Sequence, residues 1–145
     1  MTTSPTWKTL SLIVLVPTLL AGALAFAGEA AQKIGWHQGD EFVAATDFAN
    51  AENRPVLAYF TATWCGPCKM MKKDTWVDDS VVAASAAYVP VMIDIDDHQD
   101  LAGRYEVNAI PTTILFSPDG EVLARETGFR DAATVTKMLK QHAGK

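Results

Sequence analysis

A chain of 145 residues with 17 acidic and 12 basic side chains carries a formal charge of −5, which argues against nucleic acid or another polyanion as partner. The one basic cluster, Lys69, Lys72 and Lys73, falls on a single helix and reads as a solvated face. The length suits one compact domain.

Residues 1–27 hold one charged side chain, Lys8, followed by the apolar run from Leu10 to Ala27. A basic start, an apolar centre and the small-x-small site Ala25-Phe26-Ala27 before Gly28 fit a secretory signal peptide cleaved after Ala27. The run is just under the roughly 20 residues that cross a bilayer, so an uncleaved membrane anchor is the alternative, which Pro17 and Gly22 disfavour. The leader has no cysteine to lipidate and no arginine pair, so the general export route is expected. Both readings put the domain formed by residues 28–145 outside the cytoplasm, in the periplasm or anchored to the inner membrane facing it.

Along that domain, Ile34 to His37 reads as a short edge strand, and Asp40 as the N-cap of a helix to about Asn53 with Phe42, Ala45, Phe48 and Ala49 on one side. Pro55 pushes the residue before it out of helical geometry. The unbroken apolar run Val56 to Phe60 then predicts a strand buried on both faces, running on to Trp64. Helical spacing follows Cys68, with Met71 and Thr75 inward, and Val81 to Tyr88 reads as a further short helix. Val89 to Asp96 predicts a second buried strand, and Asp97 to Val107 a helix with an aspartate near its positive end. Pro111 to Ser117 and Glu121 to Thr127 form a hairpin turned at Pro118 and Gly120. Asp131 caps a closing helix to about His142, with Val135, Met138 and Leu139 inward. Alternating strands and helices closed by a hairpin and a helix predict a three-layer α/β domain with a central mixed sheet.

The only two cysteines, Cys65 and Cys68, stand where the first buried strand gives way to a helix. At a helix start, free backbone N–H groups and the dipole stabilise a thiolate, which makes Cys65 the nucleophile. Pro67 suits the first turn, where its missing N–H costs nothing. Cys68, in that same turn and more buried, is the resolving thiol. A static bridge between residues so close in sequence closes too small a loop to stabilise much. A metal site lacks ligands, since His37, His98 and His142 are not at ligand spacing from the cysteines. The acidic run Asp94 to Asp100 lacks the glycine and distal glutamate of a calcium loop and reads as a strand end and helix cap. No cofactor is required.

Trp64-Cys65-Gly66-Pro67-Cys68-Lys69 matches the active-site motif of thioredoxins, and Ile110-Pro111-Thr112 resembles that family's cis-proline loop. The resemblance runs from about Ile34 to His142. It is more similar to the exported thioredoxin-like branch, which includes the C-terminal domain of the bacterial transmembrane thiol-disulfide interchange protein, than to cytoplasmic thioredoxin. It implies a thioredoxin-like three-layer α/β/α fold. It further implies a cis Pro111 opposite the cysteines, and an Ile110 backbone that pairs with an extended substrate segment. Trp64, Gly66, Pro67, Ile110 and Pro111 are then the substrate-binding residues, with the Gly128-Phe129 turn completing an apolar rim. Disulfide-containing proteins are the implied substrates, and an inner-membrane thiol reductase the implied electron donor.

Two positions depart from the family. Tyr59 stands where thioredoxins carry a buried aspartate, and Met92 where they carry its lysine partner, so both buried charges are missing together. Proton removal from Cys68 then falls to water, to Tyr59 or to another group. The uncharged Gly66-Pro67 pair and the isoleucine before Pro111 favour a reductant. Three other readings use the same residues: a disulfide-inserting oxidase, a metal or cytochrome maturation factor, and a binding module without turnover. The short step from Cys68 to Pro111 leaves little room for the insertion usual in the cytochrome branch.

Overall fold

The apolar run after Pro55 becomes the middle of the molecule: Val56–Thr61, strand β2, is buried at every residue. The computed structural model describes residues 33–144, and the expected leader over residues 1–27 lies outside the described residues. The other strands are β1 His37–Gln38, β3 Val89–Asp94, β4 Thr112–Phe116 and β5 Val122–Thr127. The helices are α1 Phe42–Ala51, α2 Gly66–Met70, α3 Asp79–Ser85, α4 Gln99–Arg104 and α5 Ala132–His142. Sheet order is β1-β3-β2-β4-β5. β3 runs parallel to both β1 and β2, while β4 is antiparallel to β2 and β5, which gives the mixed sheet that the alternation predicts.

Alternate residues of a strand face opposite sides, and β2 uses both. Val56, Ala58 and Phe60 join Phe42, Ala45 and Ala49 of α1 and Leu101 of α4 in one cluster. Leu57 and Tyr59 join Cys65, Cys68, Met71, Trp76, Val81 of α3 and Val135, Met138 and Leu139 of α5 in the other. Helices therefore cover both faces of the sheet, and the cysteines belong to one face alone. On that face the buried Tyr88 hydroxyl donates to the Leu139 carbonyl at 2.7 Å. Burial pushes Tyr88 up to about 12, so it stays neutral.

Several element ends differ from expectation. The first strand is only His37–Gln38, because Trp36 N–H turns back onto the Ile34 carbonyl at 3.1 Å. The Trp36 ring packs instead edge-on against Trp76, centroids 5.2 Å apart. Asp40 does not cap α1. It lies inside a 3₁₀ turn, Gly39–Glu41, and Glu41 reaches back to accept from Gln38 N–H at 2.9 Å. Phe48 is 49% exposed, since an apolar stripe built on Phe42, Ala45 and Ala49 leaves it on the flank.

The second strand, β2, stops at Thr61 rather than Trp64, with a turn at Thr63 and Trp64. The helix after the cysteines is α-helical only to Met70. It then widens into a π turn, Met71–Thr75, in which Trp76 N–H bonds the Met71 carbonyl at 2.8 Å. Met71 and Thr75 are buried as expected. The next helix, α3, starts earlier than Val81 because Asp78 caps it by accepting from Ser80 N–H at 2.9 Å. β3 alternates between buried and half-buried residues instead of being covered throughout. The helix expected over Asp97 to Val107 is confined to α4, though Asp100 does sit in its first turn. His142 is half-buried, and its Nδ1 is covered without a hydrogen-bond partner. The closing helix matches expectation at its start, where Asp131 accepts from Thr134 N–H at 2.8 Å.

Candidate active site

β2 and β3 are parallel neighbours, so their C-terminal ends open side by side, the usual place for a site in such a sheet. From the end of β2, the turn at Thr63 and Trp64 delivers Cys65 in extended geometry (φ −76°, ψ 109°) as the N-cap of α2. Its sulfur accepts from Cys68 N–H at 3.2 Å. A helix start leaves its first N–H groups without intrahelical partners, and here one of them is aimed at sulfur. The same donor, helped by the dipole of the helical segment that continues to Thr75, favours negative charge on Cys65 when the pair is reduced.

Cys65 and Cys68 are joined in a disulfide, with Cα atoms 5.3 Å apart. Cys65 keeps 4% of its surface and Cys68 none, so the two sulfurs are unequal in access. Gly66 and Pro67 are exposed between them. Trp64 is 64% exposed, and its indole Nε1 donates to Asp96 Oδ2 at 2.8 Å, just beyond the end of β3.

The Ile110–Pro111 peptide is cis. Ile110 is half-buried and packs against the cluster that holds both cysteines. The Pro111 carbonyl accepts from Gly128 N–H at 2.7 Å, and Gly128 adopts φ +87°, a left-handed conformation that suits glycine. Beside it Phe129 is 40% exposed, on the surface rather than in the core. The Thr75 hydroxyl donates to the Arg130 carbonyl at 2.8 Å, tying the helical segment to the same loop.

Behind Cys68 the site is uncharged. Tyr59 is fully buried, and its hydroxyl donates to the Cys68 carbonyl at 3.2 Å. Burial pushes its ionisation up, an effect partly opposed by the neighbouring Trp76 and Thr61 side chains. Met92 lies opposite Tyr59 in the β2–β3 register. Among the described residues no group of three or more His, Cys, Asp or Glu side chains is placed to hold a metal ion.

Asp96 is the residue that sequence reasoning missed, since an acidic run at a strand end reads as a solvated cap. Asp96 lies just past β3, and the parallel pairing with β2 that brings it beside Trp64 depends on contacts distant in the sequence.

Residues 42–143 match the family described as Thioredoxin-like domain. The chain is 40% identical over 88 residues to thioredoxin of Chlamydia caviae, covering 61% of this chain and 82% of that one. It is 36% identical over 103 residues to thioredoxin of Bacillus subtilis, covering 69% of this chain and 96% of that one. Among solved structures, the oxidised DsbD C-terminal domain of Neisseria meningitidis is similar, with a TM-score of 0.64 at 27% identity. That similarity covers 73% of this chain and 97% of the domain. On these matches and on the CxxC pair at the mouth of a mixed five-stranded sheet, the chain belongs to the thioredoxin-like family and is a thiol-disulfide oxidoreductase of the protein-disulfide reductase type.

Proposed function

We propose that the protein acts outside the cytoplasm as a reductant, or reductive relay, for protein disulfides, with Cys65 as the attacking sulfur and Cys68 as the resolving one. The observation that carries the assignment of roles is their asymmetry. Cys65 is the N-cap whose sulfur receives an N–H and keeps a little exposed surface, and Cys68 has none. The Cys65 thiolate attacks one sulfur of a substrate disulfide, and the other leaves as a thiolate. Cys68 then gives up its proton and attacks the Cys65 sulfur. The protein disulfide forms, the mixed disulfide breaks, and the substrate has gained two electrons.

Trp64, Gly66, Pro67, Ile110 and Pro111 are the surface on which an extended substrate segment lies, paired to the Ile110 backbone as an added strand. Phe129 extends its apolar rim. The reducing direction is supported by the uncharged Gly66-Pro67 pair, which adds no cation to stabilise a thiolate further. A strong oxidant differs from thioredoxin by about 150 mV, or roughly 7 kcal/mol, too much for incidental surface charge to supply.

Action outside the cytoplasm is supported by the signal-like residues 1–27, by the resemblance to the exported branch and by likeness to the DsbD C-terminal domain. A reductant in an oxidising compartment has to be recharged, and an inner-membrane thiol reductase is the donor that fits.

Equilibration of the protein with glutathione buffers tests the direction. A potential near thioredoxin's about −270 mV is expected, and one above about −170 mV would make the protein an oxidant instead. In cells, Cys68→Ser is expected to retain a partner as a mixed disulfide through Cys65, and mass spectrometry identifies it. The same trapping with Cys65→Ser yields nothing if the roles are as assigned.

A further inference from the structure

The buried hydroxyl of Tyr59 joins the central strand to the active-site helix at the inner cysteine, by donating to the Cys68 carbonyl at 3.2 Å. A hydroxyl has one hydrogen to give and two lone pairs to receive with. Near it stand Thr61 and Trp76, 2% and 3% exposed, whose Oγ1 and Nε1 are buried without a hydrogen-bond partner. Both lie close enough to the Tyr59 oxygen to favour negative charge on it.

The π turn explains how Trp76 gets there. In a regular helix, residues four apart share a face, so Met71 and Thr75 point inward together; widening that turn lets Trp76 point inward as well. The indole then stands edge-on to the Tyr59 ring, centroids 5.0 Å apart at 65°.

We propose that Tyr59 is the positioning residue of the resolving step: by holding the Cys68 carbonyl it keeps the inner cysteine aimed at the Cys65 sulfur, with Thr61 and Trp76 packed beside the hydroxyl. This rests on the assignment of Cys65 as attacking and Cys68 as resolving. Tyr59 exchanges no proton in the step, because burial keeps the phenol neutral. The Cys68 proton passes to solvent, the Cys65–Cys68 bond forms, and the electron pair of the broken mixed disulfide leaves on the substrate sulfur. A carboxylate at this place would take part in proton transfer, whereas a neutral phenol contributes orientation.

The reduced full-length protein, mixed with a symmetric aromatic disulfide whose released thiolate is coloured, separates the two steps. Attack by Cys65 releases one thiolate and resolution by Cys68 the second. In Tyr59→Phe, which keeps the ring and loses the hydroxyl, the first phase is expected within about twofold of the native rate. The second is expected to slow about fivefold, the worth of one net hydrogen bond. Thr61→Val, which removes the hydroxyl beside the Tyr59 oxygen and nothing larger, is expected to slow the second phase about twofold.

A second phase in Tyr59→Phe within about 1.5-fold of native, or both phases slowed by one common factor, would overturn the proposal. Should Tyr59→Phe fail to melt cooperatively, Thr61→Val decides by the same criterion. Absence of the first phase in the native protein would instead overturn the cysteine roles on which the inference rests.

Discussion

Asp96 shows how one carboxylate can matter to a site without touching sulfur. It accepts from the Trp64 indole at 2.8 Å, so it sets the orientation of a ring that is 64% exposed and would otherwise swing freely. Ordering a large exposed side chain in advance lowers the entropy lost when a partner docks on it. Asp96→Ala is therefore expected to raise KM for a protein disulfide about threefold while leaving the alkylation rate of Cys65 unchanged, a difference that steady-state kinetics and a small alkylating agent resolve. Equal loss in both measurements would mean that Asp96 acts on the cysteine and not on the indole. At this scale the cysteines and Pro111 were legible in the sequence, because residue type and spacing carry their chemistry. Asp96, Thr61 and Trp76 were not, since their roles depend on where neighbouring strands and a widened helical turn bring them.

At the level of the elements, α5 shows which signals survive folding. Asp131 accepts from Thr134, whose hydroxyl and N–H together hold its carboxyl below the ordinary value of 3.8. A carboxyl whose folded value is depressed stabilises the folded state above its unfolded value, and that contribution fades as pH falls through the folded one. Asp131→Ala is expected to melt below the native protein at about pH 7 and to approach it at about pH 3, as paired thermal melts would show. A gap independent of pH would mean that the carboxylate charge plays no part. Caps of this kind were readable at Asp131 because the acceptor, the first turn and the apolar stripe are all local. The start of α1 was not, because Asp40 offers the same local signal and loses to the 3₁₀ turn that Glu41 stabilises from three residues away. Phe48 was misplaced because the helical repeat sets it on the flank of the stripe through Phe42, Ala45 and Ala49.

For the molecule as a whole, β2 contributes alternate side chains to both clusters, so neither face can come apart without the strand that serves the other. Phe60→Ala on the face away from the cysteines and Leu139→Ala on the cysteine face are each expected to lower stability by about 2–5 kcal/mol. Both are expected to shift one common urea transition, the same by circular dichroism and by tryptophan fluorescence. Separate transitions for the two probes would mean that the faces are independent. The fold class was legible because strands and helices alternate along the chain and a hairpin and a helix close it. The sheet order was not, because pairing depends on contacts distant in the sequence.

The Thr75 hydroxyl that reaches the Arg130 carbonyl has a consequence beyond packing. Together with the Gly128 to Pro111 bond, it laces the segment carrying the cysteines to the loop carrying Phe129, and that loop to the cis peptide. Three stretches far apart in the chain thus behave as one rigid mouth. A visitor finds the doorway already at its final width, so the bending has to be done by the visitor, and disulfides in pliable loops will be taken ahead of those locked inside a folded body.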